Sequence, residues 1–260
     1  MDPVTPWRLT GVGVGPGDPE LLTLKAVRVL READLVFAPT TAPDKPSRAE
    51  RAATGGAGVQ VRRLVFALDD TGGLTEARTA AWDEAGRSVL KAFRGGARHI
   101  AFVTLGDPNL YSTFTYLAHT VAASEPRVSV HTVPGITAMQ DLAARAGVPL
   151  AQGREPLTLL PVTGPDAQSA VAAVEAALDG PGTVVLYKGG RHLEALTAAL
   201  HRCGRAEDAV VGTDLGLPGE AIGPLTGRAA APGHEPAAGR APYFTTLIAP
   251  PSRGRRGGAL

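Results

Sequence analysis

Cysteine is nearly absent from this 260-residue chain; Cys203 is the single example. One thiol cannot close an intrachain disulfide or build a multi-thiolate metal site. A reducing compartment is the simple expectation. Aromatic residues are sparse, at 5%, too few for a platform on which nucleic-acid bases stack. Neither sign of charge dominates, with 26 basic residues against 25 acidic ones and a formal net charge of +1. That balance supplies no field to attract nucleic acid or an anionic membrane. No apolar run approaches the roughly 18 residues that a membrane helix needs. The opening MDPVTPWR has an early acid and two prolines where a signal peptide would have an apolar stretch. The expectation is a cytoplasmic protein that acts on a small molecule and binds neither nucleic acid nor membrane.

What is present is a rhythm. Hydrophobic residues make up 44% of the chain, enough for a core, and they fall into alternating short and long patterns. Strand-length runs at 9–15, 34–39, 60–68, 99–106 and 127–133 alternate with helical patterns at 21–33, 75–93 and 110–123. The second half continues with helices at 137–147, 166–178 and 191–204, and strands at 157–163, 183–189 and 242–249. Such alternation predicts an α/β fold with at least partly parallel sheets. A polar break at 124–127 (SEPR) suggests two α/β domains, 1–125 and 126–250, followed by a disordered tail at 251–260. Two segments, 39–58 and 223–242, read as long loops because they are rich in Pro, Gly and Ala.

Four strand-to-helix junctions carry the chemistry. The first is Gly11-Val-Gly13-Val-Gly15-Pro16-Gly17-Asp18-Pro19. It fails the dinucleotide fingerprint G-x-G-x-x-G, because the final glycine position holds Pro16 or Asp18 depending on the frame. Pro16 also removes an N–H that a pyrophosphate would use, so the loop suits an uncharged or cationic ligand. Gly-Asp-Pro occurs there and again at Gly106-Asp107-Pro108. Both aspartates can be read as helix N-caps with Pro at N1, and capping suffices for Asp18. Asp107 ends the strongest buried strand, where α/β sheets place ligands. A carboxylate with strand-end carbonyls there can hold an amine or a sulfonium. In Val133-Pro134-Gly135-Ile136-Thr137-Ala138, Thr137 is a candidate cap and the small residues admit a ligand close to the backbone. At Tyr187-Lys188-Gly189-Gly190-Arg191-His192, three basic groups gather at a strand end. They are either solvated or carboxylate-binding. No nucleophile elbow, P-loop or metal-ligand spacing is present, and the six histidines are scattered, so no metal is expected.

Taken in order, GVGVGPGDPELLTLKAVRVLREADLVFAP, TLGDPNLYSTFTYL, VPGITAM and VVLYKGGRHLEAL resemble the tetrapyrrole (cobalamin/sirohaem) methylases. Within them, TLGDPNLYSTFTYL and LYKGGRHL point to the branch that methylates precorrin-2 at C-20. The resemblance spans most of 8–250. It implies a class III methyltransferase: two α/β domains with mixed sheets, S-adenosyl-L-methionine in a cleft between them, and a homodimer. Carried over by position, it implies that Pro16, Leu105, Gly106, Asp107, Leu110, Thr137, Ala138, Tyr187 and Lys188 contact the cofactor. Relatives often have an apolar residue in place of Lys188, and a shorter link in place of 40–58.

Methyl transfer from a sulfonium is an in-line displacement with a neutral leaving group. Alignment matters more than acid–base chemistry and can contribute about 7–11 kcal/mol. Asp107 and Tyr111 are the candidates for taking up the proton. Arg191 and His192, with Lys188, are candidates for binding the carboxylates of a tetrapyrrole substrate. Cobalt-factor II, uroporphyrinogen III or a non-tetrapyrrole acceptor are the alternatives on the same fold. A nicotinamide oxidoreductase and a non-catalytic binding protein are rivals of other classes.

Overall fold

The first strand, β1 (Trp7–Gly13), lies in a five-stranded sheet built wholly from parallel pairs. In the computed structural model the described residues are 7–66, 75–163, 166–226 and 243–253. The remaining strands of this sheet are β2 (Leu35–Thr40), β3 (Arg62–Val65), β4 (His99–Thr104) and β5 (Val128–Val133), in the order β3-β2-β4-β1-β5. All six residues of β4 are buried, as expected for a strand with both faces covered.

Alternation along the strands divides the core. Leu9, Ile100 and Phe102 face α3 (Glu76–Arg94) and α4 (Phe114–Ser124), whose Val89, Phe93, Leu117 and Val121 cover them. Val12, Val36, Ala101 and Val103 face α1 (Leu24–Glu32) and α2 (Arg48–Ala57). In α1, Ala26, Val29 and Leu30 are the buried positions, at the i, i+3, i+4 spacing of one helical face.

A second sheet has the order β6-β7-β10-β8-β9, formed by β6 (Leu157–Pro161), β7 (Thr183–Tyr187), β8 (Val210–Thr213), β9 (Ala221–Pro224) and β10 (Thr245–Ala249). It is mixed: β6 and β7 run parallel, and β10 is antiparallel to both β7 and β8. Leu186, Val211 and Leu247 pack with Val174 and Leu178 of α6 (Ala167–Leu178) and Leu196 and Leu200 of α7 (Leu193–Arg202). Val185 and Ile248 on the opposite face meet Leu142 and Ala143 of α5 (Ala138–Ala146).

Three expectations about organisation change. The break at 124–127 does not separate domains, because β5 pairs along its length with β1; the two compact units divide between Thr137 and Ala138. The segment 39–58 is not a long loop. Ser47 accepts the Glu50 N–H, and Glu50 accepts the Ser47 N–H in return, a reciprocal capping box that starts α2. The tail is not free from residue 251. Arg253 donates to Glu155 (2.6 Å), to the Pro149 carbonyl (2.8 Å) and to the Thr183 hydroxyl (3.2 Å). Residues 254–260 and most of the 223–242 segment (227–242) lie outside the described residues.

Candidate active site

Three neighbouring parallel strands, β4, β1 and β5, end at one edge of the first sheet, and their following loops meet there. The meeting requires glycine. A Cβ on Gly13 would lie 2.5 Å from the Gly106 carbonyl oxygen and 2.6 Å from the Gly135 nitrogen, so no larger residue fits. Gly106 donates its N–H to the Gly15 carbonyl at 2.8 Å, bridging the first two loops. Gly106 has a φ of 67°, in the left-handed region. A Cβ there would meet only the Thr137 Cα, at 3.9 Å, so the space beside it is open. Pro16 is buried in the first loop. Asp18 accepts the Glu20 N–H at 2.9 Å and caps a single 3-10 turn, Pro19–Leu21, so capping does account for it.

Asp107 does something different from the helix cap the sequence suggests, since α4 begins only at Phe114. One carboxylate oxygen accepts the Asn109 N–H at 2.8 Å, which turns its own loop. The other accepts the Gly135 N–H at 3.0 Å, which ties that loop to the one after β5. Asn109 donates through its side-chain amide to Thr132 at 3.3 Å. Below them the Ser112 hydroxyl donates to Thr104 at 2.9 Å and accepts the Phe114 N–H at 3.1 Å, closing the loop at its base.

Leu105 and Leu110 are half-buried on this loop. Tyr111 stands on it at φ 50° and is 46% exposed. A non-glycine residue held in this conformation is a known mark of functional loops. Partial desolvation pushes its phenol above the usual value. It therefore stays protonated near neutral pH, which suits a hydrogen-bond donor and works against service as a base. Thr137 is buried at the end of this unit.

The remaining candidates belong to the second unit. Ala138 is half-buried at the start of α5. The Tyr187 hydroxyl accepts the Met139 N–H at 3.0 Å, satisfying one of the donors that a helix start leaves unpaired. Lys188 has a φ of 65° and donates its N–H to the Thr245 carbonyl at 3.1 Å. Its ammonium lies 5.7 Å from the Tyr243 ring centre, within cation–π range. Arg191 is half-buried and His192 buried on the turn Gly189–His192. Burial removes His192 from easy reach of a dissolved carboxylate.

A family model described as Tetrapyrrole (Corrin/Porphyrin) Methylases matches residues 8–231. The chain belongs to the tetrapyrrole methylases. This tetrapyrrole methylase is 32% identical over 259 residues to a precorrin-2 C(20)-methyltransferase of a Sinorhizobium species, covering 94% of this chain and 95% of that one. It is 31% identical over 215 residues to a cobalt-precorrin-2 C(20)-methyltransferase of Salmonella typhimurium, covering 82% and 86%. Its fold matches a uroporphyrin-III C-methyl transferase of Thermus thermophilus, solved with S-adenyl homocysteine, with a TM-score of 0.59 and 21% identity over 93% of this chain and 96% of that one. The two-domain α/β fold is the architecture this family membership implied, with the second sheet mixed as expected and the first wholly parallel instead.

In this tetrapyrrole methylase, no helix of the described residues is long and apolar enough to cross a membrane. Among the same residues no group of three His, Cys, Asp or Glu side chains is placed to hold a metal. Sequence reading missed Gly13 as the residue on which three loops converge. It also missed the Thr104–Ser112 hydroxyl pair. A glycine in the interior of an apolar strand was the available signal for the first; nothing local marks the second.

Proposed function

We propose that this methyltransferase uses S-adenosyl-L-methionine to methylate a reduced tetrapyrrole, precorrin-2, at C-20, giving precorrin-3A. The acceptor assignment is carried by one observation: near full-length similarity to a chain named for that reaction. The chemistry of the strand-end loops supports the donor. They offer backbone carbonyls, the Asp107 carboxylate and open space over Gly106, while Pro16 has no N–H to give to a phosphate. These groups fit a cationic sulfonium with an amino-acid tail.

When bound, that cofactor supplies a methyl group on a positively charged sulfur, which departs as a neutral thioether. In the proposed site Pro16, Leu105, Gly106, Leu110 and Thr137 pack around the donor. Asp107 holds the Gly106 and Gly135 loops in register, so we assign it a positioning role. A new carbon–carbon bond forms at C-20 and the carbon–sulfur bond breaks. The resulting conjugated cation is acidic enough to lose the C-20 proton to water, with the neutral Tyr111 phenol donating a hydrogen bond nearby. Arg191 serves the acceptor's carboxylates, and His192 supports its turn from within the fold. A homodimer in the cytoplasm completes the proposal.

Isothermal calorimetry with S-adenosyl-L-homocysteine tests the donor half. Binding near the micromolar level, about −8 kcal/mol, is expected for the native chain. It is lost in Gly106→Val, whose branched side chain enters the open space from a strained backbone. No heat with the native chain removes the proposal; undiminished affinity in the variant moves the site elsewhere.

A further inference from the structure

The loop after β2, residues 41–47, rises at the same sheet edge as the loop after β4, because the two strands are parallel neighbours. Hydrogen bonds from Thr40 and Arg63 brace it. The Thr40 hydroxyl shares its proton between the carbonyls of Ala42 (2.8 Å) and Lys45 (2.7 Å) and accepts the Ala42 N–H (3.3 Å). Lys45 returns its own N–H to the Ala42 carbonyl at 3.2 Å. Arg63, from β3, donates to the Pro43 carbonyl at 2.9 Å and to both oxygens of Glu50 at 2.8 and 2.9 Å. Pro43 and Pro46 stiffen what remains.

Charge within 41–63 is uneven, with five basic residues (45, 48, 51, 62 and 63) against two acidic ones (44 and 50). Arg63 answers both acids, Glu50 by hydrogen bonds and Asp44 through space. Lys45 is exposed at the braced turn, with its backbone held on both sides. Fixing the backbone from which a long cation extends removes part of the ordering cost of a hydrogen bond it later makes.

We infer that Lys45 is a specificity-determining residue, whose ammonium receives a carboxylate of the acceptor at the edge of the strand-end site. The inference rests on the proposed function and adds the residue that selects a polycarboxylate over a less charged ring. Arg63 and Glu50 are positioning residues for it.

The test is steady-state kinetics of the full chain with precorrin-2 generated in place, comparing Lys45→Glu, Lys45→Arg and Lys91→Glu. Lys91 is exposed in the last turn of α3, at the opposite edge of the sheet, and controls for net charge. Lys45→Glu is expected to raise the KM for acceptor roughly tenfold or more, as for loss of a charge-assisted hydrogen bond. Its kcat and S-adenosyl-L-homocysteine affinity stay within about twofold of native. Lys45→Arg restores the KM and Lys91→Glu leaves it unchanged. Equal KM values for Lys45→Glu and Lys91→Glu in a native background that methylates precorrin-2 overturn the role of Lys45 alone. A native chain that neither binds S-adenosyl-L-homocysteine nor transfers a methyl group overturns this inference together with the function it rests on.

Discussion

The carboxylate of Asp107 accepts the amide N–H of Gly135 at 3.0 Å across 28 residues of chain. With its other oxygen on the Asn109 N–H, this side chain joins the loops that follow β4 and β5, the two strands flanking β1. A group engaged this way acts by holding geometry. Asp107→Asn keeps one acceptor oxygen and loses the other, so S-adenosyl-L-homocysteine affinity should fall about tenfold, while kcat under saturating donor stays within about tenfold of native. A fall in kcat of about a thousandfold with unchanged affinity would identify Asp107 as the base instead.

Gly13→Ala tests the convergence of the loops. Its new Cβ would be 2.5 Å from the Gly106 carbonyl oxygen, and backbone on both sides leaves it nowhere to go. Overpacking of this kind costs about 1–3 kcal/mol. Gly223→Ala, with no atom within 4 Å of the added carbon, is the control and should change stability by less than about 0.5 kcal/mol. Equal denaturation midpoints for the two variants would contradict the packing described.

Stability should fall on mild acidification, through a pair at the other end of the first sheet. His99 is buried with its ring nitrogen 3.0 Å from the Thr10 hydroxyl. Burial, followed by the charge of Arg8, pushes its pKa down. The folded state therefore resists protonation, and stability is lost as pH drops below the unfolded value of about 6.5. Asp34 is depressed by the N–H groups of His99 and then Arg98. Its contribution is present above the ordinary carboxylate range and is lost as pH falls through the folded value. Urea unfolding at pH 7 and pH 5 should show a smaller difference for His99→Gln than for the native chain. An identical difference would remove His99 from the account.

Arg205 is buried, and among the described residues no carboxylate pairs with it. It donates to five backbone carbonyls, those of Leu178, Gly180, Gly182, Ala249 and Pro250, closing the end of α6 onto the end of β10. Arg205→Lys cannot reproduce this fork and leaves several buried carbonyls unpaired. A loss of about 2–4 kcal/mol is expected in denaturant unfolding; a loss under about 0.5 kcal/mol would mean that water replaces the guanidinium.

The sequence makes local features legible and hides those that depend on distant partners. β4 could be read because six apolar or small residues run together before Gly106. The α2 helix was obscured by Pro43, Pro46 and Gly55-Gly56, although Ser47 and Glu50 carried its capping signal at the right spacing. Gly55 and Gly56 are small because Pro19 and Leu22 press on that helix, a contact no composition reveals. The attachment of β5 to the first sheet is a pairing with β1 across more than a hundred residues, so a polar break beside it was misread as a boundary. Strand ends and glycines marked loops that do meet at one sheet edge, but the Asp107–Gly135 bond needed both loops in place.

Transfer of a labelled methyl group measures the central proposal most directly. The chain, incubated with S-adenosyl-L-methionine carrying carbon-13 in its methyl group and with precorrin-2, should yield a tetrapyrrole heavier by one labelled methylene unit. Carbon NMR should show one labelled methyl on C-20. An unlabelled product pool, or label on any other carbon, would contradict it.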